Sequence, residues 1–339
     1  MSWPCSSSGW NLSADPSLEL RRIAQQAIVH GGRLEAVARN WGCLPEQILD
    51  LSTGVYPGGP PAWLAQWFGQ HAHLAARYPD DKGEPARTAL SEALGVQPES
   101  VCVGAGAQAF IEVLVQAMGW RTLAIETPCY AEPLRAAQRA GCRIRSFAKS
   151  QGPAPADAVW ITSPHNPDGA LRDFPIGRRG VLDESYLPFV DRRRLGVMAD
   201  VIRLGSLTKL FAIPGLRIGY VVARPDIIKK IRRWLPPWPV ATPTLHLLPH
   251  LLQGAEERDA SMAEVRRRLE KLLLRYGWQV LPSKASFVLA RSPGRMPAFS
   301  EHRILVRMFP EWPELQGWVR FGLPAAQEGW NRLEAALHD

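Results

Sequence analysis

With 339 residues the chain can bury a large core, as one unit or as two interlocked lobes, which excludes a small stapled scaffold. Apolar residues make up 46% and charged residues 21%, ordinary globular usage, and no run approaches the roughly 20 apolar residues of a membrane span. The formal charge of +8 is dispersed over short clusters such as Arg192 to Arg194, Lys229-Lys230 and Arg266 to Arg268, so it reads as solvated helix faces, not as a nucleic-acid stripe.

MSWPCSSSGW at the amino end lacks a basic start and an apolar stretch, so nothing in it directs export and the cytoplasm is expected. The first 16 residues are Ser- and Pro-containing and read as loosely ordered. Cys5, Cys43, Cys102, Cys129 and Cys142 are odd in number and form no CxxC pair, which predicts reduced thiols and no metal site. Helices are expected at 33–41, 61–76, 85–94 and 107–118, three of them closed by glycine and one opened by two prolines. Short apolar runs at 101–103, 123–126, 142–147, 158–162, 180–183, 202–206 and 218–222 read as strands, with a helical pattern at 130–140. This alternation predicts an α/β domain with a mostly parallel sheet.

After Arg233 the segment WLPPWPVATPTLHLLPH carries five prolines in 17 residues and reads as a connection between lobes. A helix at 246–275, strands at 279–291, 303–308 and 318–322, and a closing helix at 325–337 complete a smaller α+β lobe. The expected division is an arm with one helix at 1–48, a large domain at 49–235 and a small domain at 236–339.

The strongest chemical signal is SLTKLFAIPGLRIG at 206–219. It puts Lys209 on a short polar turn after an apolar strand, with Arg217 eight residues later. A lysine can form a Schiff base only as the free amine, which burial or a neighbouring cation favours. Arg217 supplies a forked cation suited to phosphate, and Ser206 a hydroxyl for the same group. GAGAQAF at 104–110 sets small residues between a strand and a helix, so that N–H groups at the helix start can face an anion.

These residues resemble the fold-type I pyridoxal phosphate (PLP) family, of the class I and II aminotransferase type. Other motifs agree in order along the chain: TPCYAEP, SPHNPDG at 163–169 and VLDESY at 181–186. The resemblance implies a Schiff base on Lys209, Asp183 paired with the ring nitrogen, Asn166 and Tyr186 on the phenolic oxygen, and Tyr130 stacked on the ring. It further implies a phosphate cradle of Gly106, Ala107, Gln108, Ser206 and Arg217, and a homodimer in which Tyr78 of RYPD reaches the partner's phosphate. Ala107 stands where serine or threonine is frequent, and His165 where asparagine is common.

HGGRLEAVARNWG at 30–42, followed by LDLSTGVYPGGPP at 49–61, resembles the opening of the threonine-phosphate decarboxylases of cobalamin biosynthesis. That likeness implies decarboxylation of L-threonine O-3-phosphate to (R)-1-aminopropan-2-yl phosphate, with His30, Gly31, Gly32, Thr53 and Gly54 near the substrate. Arg307 in ILVRMF and Arg320 in WVRFGLP match positions that contact phosphate and carboxylate, although the residues after Arg307 depart from the common acidic residue and cysteine. The nearest alternative is an aminotransferase of a phosphorylated amino compound, resembling histidinol-phosphate aminotransferase. A non-enzymatic PLP-fold protein is a third reading.

Overall fold

The structure, a computed structural model, describes residues 30–339. The loose order expected of residues 1–16 lies outside the described residues, as does Cys5. The first strand, β1 (Leu49–Leu51), joins a smaller sheet, whereas the next seven form the main one. These are β2 (Val101–Ala105), β3 (Thr122–Glu126), β4 (Arg143–Phe147), β5 (Ala158–Thr162), β6 (Gly180–Asp183), β7 (Val201–Ser206) and β8 (Ile218–Val222). Their spatial order is β2-β8-β7-β6-β5-β3-β4, parallel throughout except for β8, which runs antiparallel to both neighbours. The fold is thus α/β with a mostly parallel central sheet.

Side chains alternate between the two faces of this sheet, as a pleated strand requires. Cys102, Leu123, Trp160, Val181, Ile202 and Val221 join one core, which is closed by α4 (Gly106–Met118), α5 (Glu132–Arg139) and α7 (Pro225–Arg232). Val101, Val103, Tyr220 and Val222 point the other way. They meet α3 (Ala86–Leu94) and α8 (Thr242–Leu252), while α1 (Leu34–Trp41), α2 (Leu64–His71) and the single turn α6 (Phe189–Arg192) lie along the connections. Both faces are covered, which is why β5 and β6 read as near-continuous apolar runs.

The smaller sheet has the order β1-β11-β12-β10-β9, with β9 (Gln279–Val280), β10 (Phe287–Arg291), β11 (Ile304–Met308) and β12 (Trp318–Gly322). Leu269 and Leu273 of α9 (Ala255–Arg275) and Trp330 and Leu333 of α10 (Gln327–His338) cover it. No helix among the described residues is long and apolar enough to cross a membrane.

Several expectations need correcting. No strand is expected at Leu49–Leu51, yet it pairs in parallel with β11, because its apolar side completes the small sheet's core. The proline-rich connection contains a true helix, α8, in which Pro243 occupies the first turn and needs no N–H partner. That helix packs on α3 of the large lobe. The helix expected over 246–275 is therefore two, broken at Gln253-Gly254. The expected strand 279–291 is likewise two short strands, interrupted between Val280 and Phe287.

Candidate active site

The carboxyl ends of β2, β3, β5, β6 and β7 all lie on one edge of the main sheet, where ligands bind in open α/β folds. Each end delivers a segment singled out by sequence: Gly106 to Gln108 after β2, Tyr130 after β3, Asn166 after β5, Asp183 to Tyr186 at β6 and Ser206 to Lys209 at β7. Arg217 enters from the opposite direction, at the start of β8. Facing them across the gap are Arg307 and Arg320 of the small sheet. Together they line a cavity of about 250 Å³ that also takes in His30, Gly31, Thr53 and Gly54.

Lys209 Nζ sits 4.6 Å above the centre of the Tyr186 ring, on a half-buried turn whose backbone carbonyl accepts a 2.7 Å hydrogen bond from the Tyr56 N–H. The amine is close enough to Asp183 to act on its ionisation. Burial raises the Asp183 carboxyl above the usual carboxylate range, opposed by Ser185 and by the charge of Lys209. Asp183 is 5% exposed and accepts the Ser185 N–H at 3.0 Å.

The anion cradle is built from absences of side chain. Gly106 has φ +77°, and a Cβ there would stand 2.8 Å from Nη2 of Arg217. A Cβ on Gly219 would meet the Ala107 nitrogen at 2.4 Å. Only glycine lets β8 and the start of α4 approach this closely. Ser206 and Thr208 share a 2.9 Å hydroxyl contact at the same place, in which one hydroxyl donates and the other keeps its proton to donate to a phosphate. These residues fit PLP: a forked cation, two hydroxyls and a helix N-terminus for the phosphate, a lysine for the aldehyde, and a buried carboxylate for the ring nitrogen.

Arg320 stands on the small-sheet wall of the cavity. It donates to Asn166 Oδ1 at 2.7 Å and to the Ser52 carbonyl at 2.9 Å, and its guanidinium lies over Phe287. Arg307 ion-pairs with Glu311, and burial lowers its pKa. Tyr130 donates to Gln108 at 3.2 Å, and burial together with Glu132 raises its pKa. His30 lies 2.8 Å from Glu132, whose pKa falls because of that contact.

Two expected residues stand outside the cavity. Gly32 supports it from behind, donating its N–H to Ser52 Oγ at 2.9 Å. Tyr78 is 80% exposed and packs on Trp238, away from the residues that line the cavity. Sequence reading also passed over residues that matter here. Thr208 was legible, being a second hydroxyl two positions after Ser206. Glu132 and Glu311 carried no signal, since an acidic residue at a helix start or in a loop normally faces water.

The segment 46–329 matches the model of the family "Aminotransferase class I and II". A threonine-phosphate decarboxylase of Pseudomonas aeruginosa is 29% identical over 91% of this chain and 96% of its own length. A histidinol-phosphate aminotransferase of Pectobacterium carotovorum is 27% identical over 85% of this chain and 89% of its own. The crystal structure of L-threonine-O-3-phosphate decarboxylase from Porphyromonas gingivalis superimposes with a TM-score of 0.75 at 21% identity, covering 86% of this chain and 98% of that one. The chain belongs to the aminotransferase class I and II family.

Proposed function

We propose that this protein is a PLP-dependent decarboxylase acting on L-threonine O-3-phosphate, with (R)-1-aminopropan-2-yl phosphate as product. Pyridoxal 5'-phosphate is its cofactor. The observation that carries the reading is one cavity presenting Lys209 and Asp183 on the large-sheet wall, with Arg307 and Arg320 opposite. The similarity to threonine-phosphate decarboxylases along nine-tenths of the chain supports it.

When bound, PLP supplies an electron-accepting ring that stabilises the charge left at the α-carbon as CO2 departs. Asp183 would keep the ring nitrogen protonated, and Gly106, Ala107, Gln108, Ser206, Thr208 and Arg217 would hold the phosphate. Tyr130 would pack on the ring, and Asn166 and Tyr186 would serve the phenolic oxygen. Lys209 would hold the aldehyde carbon at rest and carry a proton once substrate has entered.

Arg320 is the carboxylate anchor. Its forked guanidinium is fixed in advance by Asn166 and Ser52, so it can orient a planar carboxylate. Orientation decides the reaction, since only the α-carbon bond perpendicular to the ring plane is weakened. His30, Gly31, Thr53 and Gly54 close the substrate end, with Arg307 for the phosphate.

The division into an arm at 1–48, a large domain at 49–235 and a small domain at 236–339 is part of this reading. A cytoplasmic homodimer without nucleic-acid or membrane partners is also part of it. In that dimer the exposed Tyr78 would reach the site of a partner subunit.

The test is incubation of the PLP-loaded chain with threonine phosphate. Stoichiometric CO2 without any 2-oxo acid is expected; acceptor-dependent amino transfer would instead support the aminotransferase reading, which the histidinol-phosphate aminotransferase similarity favours.

A further inference from the structure

The end of β11 holds a carboxylate where an anion is meant to bind. Arg307 and Glu311 line the same cavity, are 8% and 6% exposed, and form an ion pair. Nη1 of Arg307 is taken by the Met308 carbonyl at 2.5 Å, so Nη2, the arm toward Glu311, is part of what an incoming anion must share. The second carboxylate oxygen of Glu311, Oε2, is buried with no hydrogen-bond partner among the described residues. The facing groups are Arg320 from β12, Tyr130 and Cys129 from the turn after β3, and the Phe309 ring under both arginines. None of these supplies a proton to Oε2.

We propose that Glu311 makes phosphate binding at Arg307 proton-linked: substrate enters this subsite together with one proton taken from solvent, shared between the Glu311 carboxyl and the phosphate. This rests on the phosphorylated-substrate reading above. A phosphate monoester is largely a dianion at pH 7.5, since its second pKa is about 6. A dianion and a buried carboxylate sharing one guanidinium repel, as two carboxylates in one site do, until a proton lies between them. A protonated carboxyl then donates to a phosphate oxygen, or a P–OH donates to the carboxylate. Either way one proton is bound with the distal anion, and binding weakens as pH rises.

The experiment titrates the PLP-loaded full chain calorimetrically with O-phosphoethanolamine, which has the amine and phosphate but no carboxylate to lose. Titration at pH 7.5 in two buffers of different ionisation heat counts the protons taken up. Condensation of the amine with the cofactor contributes equally to every variant. The wild type is expected to take up about one proton more than Glu311→Gln, and its Kd to weaken by up to about tenfold per pH unit relative to that variant. Glu311→Asp retains the carboxylate and is expected to keep the uptake, which preserves the test if the Gln variant fails to fold. Equal proton counts for the wild type and Glu311→Gln, or loss of uptake in Glu311→Asp, overturn the proposal. CO2 release from threonine phosphate combined with equal counts sinks this inference alone. Absence of both CO2 release and phosphoethanolamine binding sinks the functional reading and this inference with it.

Discussion

Asp183 and Glu184 are consecutive carboxylates at the end of β6, both buried and both raised in pKa by that burial, yet their surroundings differ completely. Strand pleating turns them to opposite sides. Glu184, fully buried, takes two 3.0 Å bonds from the Arg203 guanidinium and one at 2.9 Å from the Tyr220 hydroxyl. Arg192 completes this cluster, donating to the carbonyls of Leu187, Ser185 and Ser206 and so tying the turn after β6 to the turn after β7. Asp183 faces the cavity with hydrogen bonds from Ser185 only, leaving carboxylate lone pairs for a ligand. A polar group whose partners are all supplied by the chain is scaffold; one left short of partners beside a cavity is prepared for a guest.

The largest test of this contrast is Asp183→Asn. Turnover should fall on the order of 10²- to 10³-fold, as for loss of one preorganised electrostatic group, with the urea midpoint unchanged or higher. Arg203→Met should do the reverse: removing one partner of a buried pair costs about 3–5 kcal/mol of stability, read by urea unfolding. Adding Glu184→Leu should recover much of that loss, because the orphaned charge goes with it. If Arg203→Met lowered turnover at full stability, the contrast would be broken.

Asp168 supplies a pH test. Burial raises its carboxyl, but hydrogen bonding and charge from His165 and Arg172, with the Ala170 N–H, bring it down to about 2. A depressed folded pKa gives stability that is present above the unfolded value near 4 and is lost as pH falls toward 2. Relative to Asp168→Asn, the wild type should hold about 2 kcal/mol at pH 7 that vanishes near pH 2, measured by unfolding across that range. The smallest effect is expected from Ala107→Ser, which adds a hydroxyl to the cradle. Cofactor retention on dialysis should improve by about 1 kcal/mol, roughly fivefold.

Much of the site was legible because covalent chemistry restricts residue types sharply. An imine needs a lysine, a phosphate needs glycines and a forked cation, and both leave marks at fixed spacing in SLTKLFAIPGLRIG and GAGAQAF. The strands of the main sheet were legible for a different reason: burial on both faces favours short, mostly apolar runs such as AVWIT in β5. β1 was missed because three residues of LDL carry no period of their own, and their pairing with β11 spans some 250 positions. α8 was hidden by its prolines, which are tolerated at a first turn and against a covering core.

What the amino-acid sequence determined by itself was the cofactor chemistry, the family and the α/β alternation, since each depends on residue identity and local spacing. Tertiary structure alone decided that Glu184 became scaffold while Asp183 faced the cavity, and that Glu311 came to rest on Arg307. Those outcomes depend on which distant side chain arrives at an orphaned charge, and no local pattern encodes the arrival.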